Sequence, residues 1–149
     1  EVRWSISAYL RWVYDDQSGL YQREQDTLEA YNTESEEFNP FTDRLTEEQI
    51  TAANVVVIPL IHEDIYPTQN IEVVDIKLSG SGEAYLFRDG QMYRVQWNRP
   101  AADSVLFLTD EEGNRIPFKP GNTWFEIIGN SSQVSEPDDG VWRYEFRYP

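Results

Sequence analysis

Asp89-Gly90 sits between two runs of alternating apolar and polar residues, and that arrangement commits residues 80 to 99, GSGEAYLFRDGQMYRVQWNR, to a β-hairpin. A two-residue type I′ turn needs positive φ at both central positions, and Asp-Gly adopts it at little cost. With Asp89 and Gly90 in the turn, Arg88 faces Gln91, Leu86 faces Tyr93, Ala84 faces Val95 and Gly82 faces Trp97. One face then carries Leu86, Tyr93, Ala84, Val95, Gly82 and Trp97 and belongs to a core. The other carries Tyr85, Arg94, Glu83 and Gln96 and is mostly wet. The ring of Trp97 covers the gap left by Gly82, and Gly80 and Gly82 let the chain bend out of the preceding strand.

Period-two alternation recurs along the chain. In WSISAYLRWVY, Trp4, Ile6, Ala8, Leu10, Trp12 and Tyr14 share one face, which predicts one long half-buried strand. The turn DDQSG and the segment LYQR complete a hairpin. Residues 24–45 are acidic and non-periodic and read as a long surface excursion. Thr46 as N-cap and Gln49 three residues on form a capping box, which predicts one short α-helix over TEEQITAA. VVVIPLI reads as a strand buried on both faces, with an edge or bulge at Pro59. HEDIYPTQN reads as loop. EVVDIKL is a strand with Val74, Ile76 and Leu78 inward. VLFLT, RIPF and TWFEII follow as strands, GNSSQVSEPDDG as a polar connector, and VWRYEFRY as a closing strand with Trp142, Tyr144, Phe146 and Tyr148 on one face. The expected fold is mainly β: an antiparallel sandwich-like or barrel-like domain of about nine strands with one short α-helix.

The chain of 149 residues is the size of one domain, and residues 1–149 are read as such. Its 27 acids against 12 Lys and Arg give a formal net charge of -15, which repels phosphate backbones and anionic membranes, so no nucleic-acid partner is expected. With no cysteine, disulfides, zinc-thiolate sites and cysteine nucleophiles are excluded. No apolar run reaches the roughly 18 residues of a membrane span. Glu1 opens without Met, which reads as an excised or mature segment.

The hairpin stretch, then DEEGNRIPFKPGNTWFEII, together with WVYDDQSGLYQR and FTDRLTEEQITAANVVV upstream, resembles the C-terminal domain of the YerB-like bacterial lipoproteins. The resemblance runs from about residue 4 to 128 in the same order. The motif positions here are Tyr21, Arg23, Asn54, Gly80, Gly82, Gly90, Trp97, Arg99, Gly113, Pro120, Gly121 and Trp124, and most are turn formers or core aromatics. The sequence departs from the family in lacking its N-terminal domain and in the acidic stretch at about 24–45, which looks like an insertion. The resemblance implies an extracytoplasmic domain, anchored to the membrane only through a lipid outside this segment. It carries over no catalytic residue.

Chemistry-bearing motifs are few. His62, the single histidine, stands at a strand end and reads as a satisfied polar group. The turns Asp110-Glu111-Glu112-Gly113-Asn114 and Asp138-Asp139-Gly140 lack EF-hand spacing and read as hairpin turns. Asn130-Ser131-Ser132 matches a glycosylation sequon, a weak signal in the bacterial setting that the resemblance implies. No phosphate-binding glycine loop opens a helix, and no metal or cofactor is expected. Tyr21 and Arg23, alternating on the return strand of the first hairpin, and Arg99, two residues after Trp97, remain as candidate ligand contacts for sugar stacking or carboxylate capture. Two functions follow. One is a non-catalytic binding or scaffolding domain of the cell envelope, contacting protein, cell-wall glycan or the N-terminal domain of its own chain. The alternative is an envelope glycan hydrolase using an Asp/Glu pair, which requires two facing carboxylates in a cleft, one raised in pKa by burial.

Overall fold

The computed structural model describes residues 1–5, 8–27, 36–65 and 73–147. Among these the chain is all β. The strands are β1 (Val2–Ser5), β2 (Ala8–Asp15), β3 (Leu20–Asp26), β4 (Phe38–Pro40), β5 (Thr51–Ala52), β6 (Asn54–Leu60), β7 (His62–Asp64), β8 (Val74–Ile76), β9 (Gly80–Arg88), β10 (Gln91–Arg99), β11 (Phe107–Thr109), β12 (Arg115–Ile116), β13 (Thr123–Gly129), β14 (Gln133–Asp138) and β15 (Val141–Glu145). They form three open sheets. The first runs β14-β15-β1-β2-β3-β4, with β5 also on β3; the second runs β12-β11-β10-β9-β6-β13; the third is the pair β7-β8.

The β9–β10 register is the expected one throughout, from Gln91 opposite Arg88 to Trp97 opposite Gly82. Asp89 and Gly90 take φ values of 53° and 74°, the I′ signature. β6 lies between β9 and β13 and is buried from Asn54 to Ile58. Its alternation splits two cores. Val56, Ile58 and Leu60 pack with Leu86, Val95, Trp97 and Leu108 on one face. Val57 faces the first sheet, packing with Val2, Leu10, Tyr85, Ile128 and Tyr144. Pairing of β6 to β9 stops at Val57, so Pro59 leaves no ladder donor wanting on that side.

Four expectations are corrected. The helix at Thr46 is absent. Asp43 takes the capping role instead, accepting from the N–H groups of Leu45 at 2.8 Å and Thr46 at 3.0 Å, and Glu47 turns through a φ of 60°. The Gln49 amide donates to Arg23 C=O rather than back to Thr46, and Thr51 and Ala52 join β3 as a strand. Sheet pairing thus overrides a local helix signal. Among the described residues the strands number fifteen, not about nine, because runs read as one strand are divided and runs read as loop or connector pair as strands. The first run splits into β1 and β2, which pair antiparallel. The acidic excursion pairs its ends as β3 with β4, the loop at His62 pairs as β7 with β8, and the polar connector supplies β14. The sheets are not purely antiparallel, since β1 runs parallel to β15 and β6 parallel to β13. Finally, Ile76 is exposed, and from its segment Leu78 packs on the core. Ile6, Tyr148 and residues 28–35 of the acidic stretch lie outside the described residues.

Candidate binding cleft

Three turns meet at one end of the molecule. Asn54, fully buried, donates its side-chain amide to Lys119 C=O at 2.9 Å and to Thr123 Oγ1 at 3.1 Å, while its Oδ1 accepts from Lys119 N–H at 2.9 Å. That pins the turn holding Pro120 and Gly121 to the start of β6. The Lys119 ammonium donates to Asp89 Oδ1 at 2.6 Å and to Gly19 C=O at 2.9 Å, tying in the other two turns. The N–H of Gly90 donates to the Tyr21 hydroxyl at 3.0 Å. A Cβ at Gly90 would lie 2.8 Å from the Tyr14 ring, so a side chain is excluded there by space as well as by φ.

Beside this hub a cleft of about 600 Å³ opens between β2 and β15, floored by the second sheet. Trp12, Tyr14, Tyr21, Phe87, Met92 and Trp142 supply its apolar lining. The rings of Tyr14 and Tyr21 meet at a tilt, their centroids 5.1 Å apart. Arg11, Gln91 and Glu1 stand at its polar margin. Such an aromatic hollow with few polar groups fits ligand burial.

Two charged clusters flank the cleft on opposite faces of the first sheet. On the inner side Glu126, at 4% exposure, accepts the Trp12 indole N–H at 3.0 Å. Burial pushes its carboxyl above the usual range, and the Trp12 hydrogen bond and the Arg23 charge only partly oppose this. Arg23 lies over the rings of Phe41 at 4.1 Å and Trp124 at 5.2 Å, and Trp124 meets Trp12 at a tilt. On the outer side Glu1 accepts from Arg143 at 2.8 Å and from the Tyr9 hydroxyl at 2.9 Å. Burial works to raise this carboxyl, but those two hydrogen bonds together with the charges of its own ammonium and of Arg143 hold it low. Tyr9 and Glu1 alternate against the inward Leu10 and Val2, so the sheet itself separates Glu1 from Glu126. Among the described carboxylates Glu126 is the one raised, and its neighbours are indoles and an arginine.

The structure places the sequence candidates in three settings. Tyr21 lines the cleft and is itself buried. Arg23 is half-buried and stands outside the cleft lining, over the ring of Trp124. Arg99 lies apart, its guanidinium donating to the carbonyls of Leu78, Ser104 and Ala102. Of the motif positions, Asn54, Asp89, Gly90, Pro120, Gly121 and Trp124 gather at the hub and the cleft's inner edge. Gly80, Gly82 and Trp97 belong to the far end of the β9–β10 hairpin, and Gly113 to the turn where Asp110 accepts from Asn114. Sequence reasoning missed Trp12 and Trp142 as cleft walls, treating both as core. It also missed Glu126, although a lone charge inside the apolar run TWFEII is a visible signal. His62 holds Leu60 C=O at 3.0 Å and meets Phe146 edge-on.

Residues 1–125 match the family model described as the C-terminal domain of a protein of unknown function, DUF3048. The Bacillus subtilis (strain 168) protein named "Putative lipoprotein YerB" is 23% identical over 131 residues, covering 88% of this chain and 34% of its own length. The crystal structure of YerB from Bacillus subtilis superposes with a TM-score of 0.63 at 24% identity, over 81% of this chain and 36% of that one. The chain therefore spans about a third of the length of the relatives it matches.

Proposed function

The chain belongs to the DUF3048 C-terminal domain family, and from that premise we propose that it is a non-catalytic, extracytoplasmic binding or scaffolding domain of a membrane-anchored envelope lipoprotein. The relative's name supports the location. The observation that carries the binding role is the aromatic cleft between β2 and β15, rigidly braced by the Asn54 and Lys119 turn hub. Its partners are protein, cell-wall glycan or the preceding domain of its own polypeptide, which aromatic rings and a few margin charges receive well. The domain is residues 1–149 as one unit, with residues 24–45 an acidic insertion in the family pattern. The net charge of -15 turns nucleic acid away.

Intrinsic tryptophan fluorescence, titrated with cell-wall fragments, extended peptides and duplex DNA at two salt concentrations, tests this reading. Saturable quenching by peptide or glycan that Trp142→Ala weakens at least tenfold supports it. Tight DNA binding, or turnover of a cell-wall polymer lost in a single Asp or Glu variant, overturns it.

A further inference from the structure

Each of the two larger sheets has two outer strands, and three of these four are blunted. β14 carries Glu136, Pro137 and Asp138, and its register slips between Ser135 and Asp138. β4 has three residues and ends on Pro40, and β12 has two residues followed by Pro117. Charge, proline, bulges and shortness are what keep a sheet edge from pairing with another chain. β13 is different: its seven residues, TWFEIIG, run in unbroken parallel register along β6. Its single charge is Glu126. An inward charge guards an edge only while water still reaches it, since a new neighbour must then desolvate it. Glu126 is 4% exposed and already accepts the Trp12 indole N–H, so a further strand beside it adds no such cost.

Backbone polar groups alternate in direction along a strand. Asn122 C=O accepts from Asn54 N–H, and Asn130 N–H donates to Leu60 C=O, so the even-numbered residues of this stretch face β6. The N–H and C=O groups of Thr123, Phe125 and Ile127 therefore face away from it. Among the described residues none of these groups meets a backbone partner. Phe125, at the middle of the row, is 40% exposed although its ring meets Phe118 edge-on at 6.2 Å.

We propose that this edge is a self-association surface: β13 pairs antiparallel with β13 of a second copy of the chain, about a two-fold axis at Phe125. Phe125 then lies opposite Phe125 of the second copy, and Thr123 opposite Ile127 of the second copy. Each outward N–H meets an outward C=O, and the two second sheets become one. Two features select a second copy over another occupant. The row of outward groups is centred on Phe125, so it is its own complement under that axis. The net charge of -15 makes two copies repel across their acidic faces and draws a cationic partner to those faces instead. The β13 edge lets two copies meet without setting acid against acid, because Glu126 falls opposite Trp124 of the second copy. The cleft lining includes no residue of β13, so the pairing leaves the cleft free.

Sedimentation velocity over a concentration series tests this. Pairing along one strand is smaller than a standard interface, so a monomer–dimer equilibrium with Kd roughly between 10 and 500 μM is expected. Raising salt from about 0.05 to about 0.5 M is expected to tighten it about threefold or more, by screening the net charge. Phe125→Glu changes an exposed side chain and sets two carboxylates across the axis, and is expected to weaken association about tenfold or more at low salt. Mixing that variant with Phe125→Lys in equal amounts is expected to restore the dimer, because Glu then faces Lys. A protein that stays monomeric at about 1 mM overturns the proposal. So does a dimer that salt loosens, that ignores Phe125→Glu, or that the mixture fails to restore. A monomer whose Phe125 and Ile127 amides become protected from hydrogen exchange only when an extended peptide is added overturns the second copy as occupant.

Discussion

The indole of Trp97 lies directly on Gly82 across the β9–β10 hairpin, so closely that a Cβ at Gly82 would fall 2.8 Å from Nε1. Trp97 is 4% exposed and lies in the core on the face of the second sheet away from the cleft. Trp97→Ala is expected to cost about 3–5 kcal/mol, and Gly82→Ala about 1–3 kcal/mol by forcing the ring aside. Urea unfolding of both variants measures this, and a loss under about 1 kcal/mol for Trp97→Ala contradicts a core role.

The turn hub separates buried from exposed contributions. Asn54→Ala removes a fully buried amide and leaves the part-buried N–H and C=O of Lys119 without their partner, and is expected to cost about 1–3 kcal/mol. Lys119→Met removes a half-exposed ion pair with Asp89 and is expected to cost at most about 1 kcal/mol. Equal losses in thermal unfolding would show that the ion pair, not the asparagine, holds the three turns.

Glu126 gives a pH dependence of definite sign. Its carboxyl pKa is higher folded than unfolded, so the native state holds that proton more tightly. Its contribution therefore weakens as pH rises from the unfolded value of about 4.3 through the folded one. Glu126→Gln keeps an oxygen for the Trp12 indole and removes the buried charge. The variant is expected to melt above the parent at pH 7, with the difference shrinking toward pH 4. A variant that melts below the parent at pH 7 would mean that the Arg23 charge outweighs burial.

Much of the second sheet was legible because its signals are local. Asp89-Gly90 dictates a turn type, and the turn dictates every pair back to Gly82 and Trp97. The helix expected at Thr46 failed for the complementary reason: Thr51 and Ala52 gain more from pairing with Gln22 and Tyr21 than a short capped turn offers in isolation. The cleft was half legible. Tyr21 and Arg23 were singled out by alternation, but the walls Trp12 and Trp142 are 130 residues apart in sequence and meet across a strand that only the long-range β1–β15 pairing positions. Parallel pairing between chain ends leaves no local pattern to read. Arg99 looks like a rim residue from its spacing to Trp97, whereas its three carbonyl partners come from loops whose course no period encodes.

The account stands most directly on where a ligand touches the domain. The chain holds five tryptophans, and their indole N–H signals resolve them separately in a two-dimensional nitrogen–proton spectrum. Titration with an extended peptide or a cell-wall fragment is expected to shift the Trp12 and Trp142 indoles and the Tyr14 and Gly90 amides, with Trp97 unmoved in its core. Shifts confined to residues remote from β2 and β15, such as the Arg99 loop or the β7–β8 pair, or no shift at saturating ligand, would contradict a binding role for the cleft.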